Sequence, residues 1–292
     1  MHSQKSNHES VEGILYLIPT PIGNLEDMTF RAIRLMKEAD VIAAEDTRNT
    51  KKLCHYFEID TPLVSYHEHN KELSGRQIVD RLMKGEKVAL VSDAGTPCIS
   101  DPGFEMVKAA IEKGIPVIPL PGANAAITAL IASGLPPQPF YFFGFLARGK
   151  KERKKALECL KFQQGAILIY EAPHRLKETL QHMLDIWGNR KIVLSRELTK
   201  KYEEFLRGTI QEALDWTKTE EIRGEFCLVV EGSGEEKKEE PSWWAPLTIK
   251  DHVNQYISDK GIQAKEAIKL VAKDRKVPKR EIYQAYHMEG ES

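Results

Sequence analysis

Four cysteines are scattered along 292 residues (Cys54, Cys98, Cys159 and Cys227), and no two of them form a CxxC pair. That spacing argues against both a disulfide framework and a thiolate zinc site, and it suits a reducing cytoplasm. Long apolar runs are missing too: none approaches the ~18 residues that a membrane span requires. The opening "MHSQKSNHES" is polar and lacks the apolar centre of a signal peptide, so residues 1–12 read as a disordered tail. There is no excess of one charge sign. The net charge is −1, and contact with nucleic acid must therefore rest on local basic patches. Neither GxGxxG nor a GxxxxGK loop ending in Ser or Thr occurs, which removes the signatures of Rossmann dinucleotide and P-loop triphosphate sites. Acid-rich calcium loops are absent as well. What is present, 41% hydrophobic and 29% charged residues, is the composition of an ordinary globular protein. The length fits two domains and an appendage.

Short apolar runs alternate with amphipathic segments from the start of the chain. "ILYLIP", "DVIAA", "PLVSY", "VALVS" and "IPVIPLPG" are strand candidates, with helical spacing between them, as near Thr47–Phe57 and across Lys71–Met83. That alternation predicts a mainly parallel α/β domain over residues 13–120. A second α/β domain is expected over 121–232, from "PFYFFGF", "AILIYEAP", "KIVLSREL", "EEFLRGT" and "EFCLVVEG". Too little chain separates "KIVLSREL" from "YEEFLRGT" for a crossover helix, so this half mixes in antiparallel pairs. "GSGEEKKEEP" lies in a charged linker, 233–247, and 248–292 reads as a small helical domain. There Ala264, Ala267, Ile268 and Val271 make one apolar stripe, and Pro278 is compatible with the first turn of a final helix.

Three loops leaving the strands of the first domain draw attention. "IPTPIGN" is stiffened by Pro19 and Pro21, while Gly23 lets the backbone close on a neighbour. "LVSDAGTPCISDPG" places two Asp, two Gly and two Pro directly after an apolar strand, with Asp93 as a fixed acceptor. "PLPGANAA" opens a helix with small residues, as close packing on a flat ligand requires. Each alone fits a rigid turn. Together they point to a binding site, because ligands gather beyond the carboxyl ends of parallel strands. "AAEDTR" adds Glu45, Asp46 and Arg48 to the same end; in the plain structural reading Asp46 or Thr47 caps the next helix. "SYHEHN" sets His67 and His69 two apart, which without a third ligand at a characteristic spacing points to substrate contact or loop hydrogen bonding rather than a metal.

Two basic segments stand out. "RGKKERKK" has six basic residues and one Glu, and it is either a solvated helix face or a phosphate-binding edge formed by Arg148, Lys150, Lys151, Arg153 and Lys154. In the tail, "KDRKVPKREIYQAY" gathers Lys276, Lys279 and Arg280 in a pattern like a helix-turn-helix nucleic-acid reader. The alternative there is a packing or dimerisation appendage.

The ordered motifs "PTPIGNLEDMTFRA", "AEDTR", "VSDAGTPCISDPG", "PGANAAITAL", "FFGFL", "YEAPHRL" and "RELTK" closely resemble those of a bacterial family. These are the small-subunit ribosomal RNA (cytidine-2′-O)-methyltransferases of the tetrapyrrole methylase superfamily. The resemblance spans Gly13 to Gly232 and extends into the tail. It implies two α/β domains of the non-Rossmann methyltransferase type plus a helix-turn-helix-like tail, S-adenosyl-L-methionine as cofactor, a ribosomal RNA or subunit partner and a homodimer. Carried over by motif, the cofactor residues are Pro21, Ile22, Ser92, Asp93, Ala94, Gly95, Asn124 and Ala125. Tyr170, Glu171 and Leu228 of the second domain would close over adenosine. Glu45, Asp46, His67 or solvent would take the ribose proton, and Arg48 or Lys150 would hold the adjacent phosphate. The competing readings are a methylase of tetrapyrrole precursors and a non-catalytic RNA-binding assembly factor.

Overall fold

The computed structural model describes residues 3–4, 13–67, 71–101, 103–235 and 242–288. His69, residues 5–12 of the expected tail and residues 236–241 of the expected linker lie outside these. By its internal contacts the chain divides into two units, Met1–Glu236 and Lys237–Ser292.

The first unit opens with strands β1 (Ile14–Ile18), β2 (Val41–Ala44), β3 (Leu63–Ser65), β4 (Lys87–Val91) and β5 (Val117–Pro119). Helices α1 (Phe30–Glu38), α2 (Thr47–Tyr56), α3 (Lys71–Met83) and α4 (Gly103–Glu112) fall between them. The sheet order is β3-β2-β4-β1-β5, and every pair is parallel. Strand alternation sends Tyr16, Ile18, Ile42 and Val91 to a core under α1 and α2, while Leu15, Val41, Val88 and Leu90 pack with Ile78 and Met106 on the opposite face. The four residues of β2 are buried throughout, as a central parallel strand covered on both faces must be.

The join between the sheets falls in residues 120–124. Helix α5 (Ala125–Ser133) follows, and its Ala126, Ala129 and Leu130 already pack on the second sheet. That sheet contains β6 (Phe140–Phe145), β7 (Ala166–Glu171), β8 (Lys191–Arg196), β9 (Glu204–Thr209) and β10 (Phe226–Val230), in the order β6-β7-β10-β8-β9. β6 pairs parallel with β7, and the remaining pairs are antiparallel, including β8 with β9. The short link forbids a crossover, and the mixed sheet is the result. Helices α6 (Lys150–Leu160), α7 (Pro173–Trp187) and α8 (Ile210–Thr219) cover the other face.

The second unit has α9 (Ile249–Lys260), α10 (Ala264–Asp274) and α11 (Lys279–Met288). Val253, Ala267, Ile268, Val271 and Ile282 form its core, so the stripe on α10 faces inward. Pro278 stands just before α11 rather than inside it, and its carbonyl accepts from the Glu281 and Ile282 N–H groups.

Candidate active site

All five strands of the first sheet run the same way, so the loops after β1, β2, β4 and β5 meet at one end, next to the reversal of strand order beside β1. They are tied to each other. Thr20 and Gly95 exchange backbone hydrogen bonds of 3.0 and 2.9 Å, and Thr20 Oγ1 donates to the Ser92 carbonyl. Thr96 Oγ1 donates to the Ala123 carbonyl. Gly95 has φ +80°, and a Cβ there would press on Ile22 at 3.2 Å. The Asp-Pro-Gly end of the β4 loop is structural: both Asp101 oxygens accept from the Cys98 N–H, and Oδ1 also accepts from Gly103 N–H, closing the turn into α4.

Between these loops and the second sheet lies a cavity of about 270 Å³. Ile22, Ala94, Gly95, Asn124, Ala125 and Tyr170 line it, each expected from the sequence. Asn124 caps α5 by accepting from Ile127 N–H. Tyr170 accepts from Ala126 N–H through its hydroxyl and is flanked edge-on by Phe142 and Phe145. Burial pushes its phenol up to about 12. Glu171 borders the cavity, but its carboxylate is held on α7 by Thr179 Oγ1 at 2.6 Å, Ala172 N–H and Arg175.

Two assignments need correction. Leu228 does not line the cavity: its side chain is fully buried in the helix-covered core with Ile167 and Leu194. The strand period puts its neighbour Cys227 on the cavity face instead. Arg153 is not part of a solvated basic edge, being 2% exposed. It lies one and two turns from Leu157 and Leu160, so it points inward with them, where Nε donates to His182 Nδ1 and a terminal nitrogen pairs with Glu178 at 2.5 Å. That i, i+4, i+7 spacing was visible in the sequence. Arg148, Lys150, Lys151 and Lys154 are exposed, as are Lys276, Lys279 and Arg280 of the second unit.

Pro21, Ser92 and Asp93 line a second cavity of about 320 Å³, together with Asn49, Lys52 and Tyr56. Asp93 accepts from Asp46 N–H at 3.0 Å and from Asn49 Nδ2 at 3.4 Å, which joins the β4 loop to the start of α2. Asp46 is the cap of α2, and its carboxylate binds the Arg48 backbone and guanidinium. Those bonds hold it down at about 2, which leaves it a poor base. Glu45 is the opposite case. Half-burial raises its carboxyl above the ordinary range, and Asp93, Asp101 and Asp46 push the same way. Arg48 remains 86% exposed, paired with Asp46. His67 is half-buried beyond β3, and among the described residues no cluster of three His, Cys, Asp or Glu could hold a metal.

The motif reading did not single out Ser195, Leu198, Lys200 or Cys227 in the cavity. Leu198 and Lys200 belong to the quoted "RELTK", and only the folding of the β8–β9 turn shows where they point. Ser195 is fully buried, and its hydroxyl has no hydrogen-bond partner. Burial pushes the Cys227 thiol up to about 12, so it is no nucleophile at neutral pH. Apolar walls, a glycine backbone open to close approach and one unsatisfied hydroxyl suit a flat heteroaromatic ligand with polar edges.

The sequence profile of the tetrapyrrole (corrin/porphyrin) methylases matches residues 14–214. A protein of Bacillus subtilis (strain 168) named ribosomal RNA small subunit methyltransferase I is 66% identical over 97% of both chains. One of the same name from Halalkalibacterium halodurans is 59% identical over 99% of this chain and all of its own. Among solved structures, a uroporphyrin-III C-methyltransferase from Thermus thermophilus complexed with S-adenosylhomocysteine superposes with TM-score 0.54 at 18% identity, over 75% of this chain and 97% of its own.

Proposed function

The chain belongs to the tetrapyrrole (corrin/porphyrin) methylase family, and on that premise we propose that it methylates the ribose 2′-hydroxyl of a cytidine in small-subunit ribosomal RNA. One observation carries the reading: a chain that follows named ribosomal RNA methyltransferases along nearly its whole length has a cavity lined by its strand-end loops. The protein is an S-adenosylmethionine-dependent methyltransferase. The cavity fits that cofactor, since Ser195 Oγ lacks a partner there and Ile22, Ala94, Ala125 and Leu198 give it apolar walls.

S-adenosylmethionine supplies a methyl group carried on a positively charged sulfur. Ile22, Ala94, Ala125 and Leu198 would wall the bound cofactor from water, and Ser195 Oγ would satisfy one of its polar edges. Asp93, fixed by Asp46 and Asn49 on the second cavity beside the Ala94–Gly95 wall of the first, would supply negative charge complementary to a sulfonium. Glu45 accepts the proton of the ribose hydroxyl at its carboxylate. Its raised pKa makes it a stronger base than Asp46, which is committed to Arg48. Much of the rate in such a displacement comes from holding the reacting atoms in register, which suits loops cross-linked as these are.

A macrocycle substrate would need neither the basic face of α6 nor the helical unit, and a purely structural assembly factor would need no such cavity at the strand ends. We also read the protein as a cytoplasmic homodimer. The support is the exposure of Phe30, Phe104 and Ile131, at 94%, 63% and 75%, which a partner copy would cover. The deciding experiment is mass spectrometry of small-subunit RNA from cells with and without the gene, together with calorimetry of cofactor binding. A 2′-O-methylcytidine that persists in the deletion strain would overturn the assignment.

A further inference from the structure

The β8–β9 turn borders the cavity and is tightly constrained. Glu197 and Thr199 both adopt left-handed backbone, at φ 52° and 66°. Residues with a Cβ persist there only when their surroundings enforce it, and such positions cluster at functional sites. The turn delivers Lys200, the only Lys or Arg among the described residues lining the cavity. Its side chain lies across Gly23 of the first loop, where a Cβ would stand 2.6 Å from Lys200 Cγ and 3.0 Å from both Lys200 Cε and Thr199 Oγ1. Gly23 does not have a positive φ, so this close approach is what requires glycine there. Thr199 Oγ1 is buried beside it with no hydrogen-bond partner.

Lys200 is also placed at a border. Pro21 and Gly23 line the second cavity with Asn49, Lys52 and Asp93, while Ile22 between them lines the first. Lys200 Nζ pairs with Glu197 at 3.1 Å, with the two side chains 37% and 27% exposed. A half-exposed pair of this kind is weak, and a phosphate can take its place at the ammonium. Neither Arg48 nor Lys150 lines either cavity.

We propose that Lys200 is the positioning residue for the RNA backbone: its ammonium binds the phosphate adjoining the ribose to be methylated, held in place by the strained turn and the Gly23 cradle. This rests on the RNA methyltransferase reading above. A point charge on a flexible stem suits a phosphate, which it binds without demanding a planar, two-pronged geometry.

The test uses the full chain, a transcript of small-subunit ribosomal RNA and S-adenosylmethionine. Lys200→Met is expected to raise KM for the transcript about tenfold, the equivalent of one lost charge-assisted contact. Cofactor affinity by calorimetry should stay within about twofold of wild type. The slope of log kcat/KM against log salt should flatten by about 0.7–0.9, one phosphate contact, and Lys200→Arg should restore most of it. Gly23→Ala keeps the charge but displaces the side chain, so it should lower kcat/KM alone and add nothing to Lys200→Met. An unchanged salt slope in Lys200→Met overturns the proposal. So does a loss of cofactor affinity matching the loss of activity, which would assign the cation to the cofactor. A wild-type protein that binds cofactor but neither binds nor methylates the transcript overturns the RNA reading, and the phosphate role with it.

Discussion

Arg153 is buried in a helix whose neighbouring cations all face water. Removing it strips a buried hydrogen bond from His182 Nδ1, whereas half-exposed Glu178 can turn to solvent. Arg153→Ala should therefore cost about 1–3 kcal/mol in urea unfolding and leave the salt dependence of RNA binding unchanged. Neutralising Arg148, Lys150, Lys151 and Lys154 together should do the reverse, flattening the salt slope with no loss of stability. If the two variants behave alike, Arg153 has no separate structural role. Glu45 supplies the complementary case. Its folded pKa is raised by burial and then by three acids, so its contribution to stability is present below the unfolded pKa and is lost as pH rises through the folded value. At neutral pH the native state carries an unfavourable charge. Glu45→Gln is thus expected to raise Tm at pH 7 and hardly at pH 4, while abolishing methyl transfer; a lower Tm at pH 7 would mean the carboxylate stabilises the fold.

Among the elements, those built on local pattern were readable from the sequence. The five strands of the first sheet announce themselves as apolar runs, and the α10 stripe of Ala267, Ile268 and Val271 is the core of its unit. Side-chain direction on the second sheet was less accessible. Cys227 and Leu228 differ by one step of a period-two strand, and only the pairing of β10 with β7 and β8 decides which of them faces the cavity. The setting of His252 in α9 was not readable at all, because it depends on tertiary contacts. His252 is fully buried, with Trp244 and Tyr256 stacked against it and Trp243 at its edge. Arg275 Nε donates to its Nδ1 and also spans the Trp244 ring. Burial, then Arg275, lowers its pKa despite Asp274 nearby. A depressed histidine lends stability that is full above its unfolded pKa of about 6.5 and lost as pH falls through the folded value. The helical unit should therefore loosen in mild acid. In a Trp187→Phe, Trp216→Phe background, emission from Trp243 and Trp244 should shift to the red below about pH 6.5. Replacing His252 with Phe should remove that transition, and its persistence would trace the acid sensitivity to another group.

For the whole molecule, the division of cores sets the division of labour. The cavity and the four apolar clusters around both sheets belong to Met1–Glu236, whereas Val253, Ala267, Ile268, Val271 and Ile282 make a core wholly inside Lys237–Ser292. Lys237–Ser292 holds eleven Lys and Arg against nine Asp and Glu, and the rest of the chain 31 against 34. The small positive surplus thus lies on the unit that has no part in the cavity, as expected for a module that recruits a polyanion to a site it does not build. A chain ending at Glu236 should fold, bind S-adenosylmethionine with wild-type affinity and lose most of its activity on ribosomal RNA through a raised KM. The loss should be steepest at physiological salt and partly recovered at low salt, where the remaining cations of α6 and Lys200 attract the backbone over a longer Debye length, about 30 Å at 0.01 M. Full activity of the truncated chain at physiological salt would show that the helical unit is a packing appendage, and that the α/β unit finds its RNA unaided.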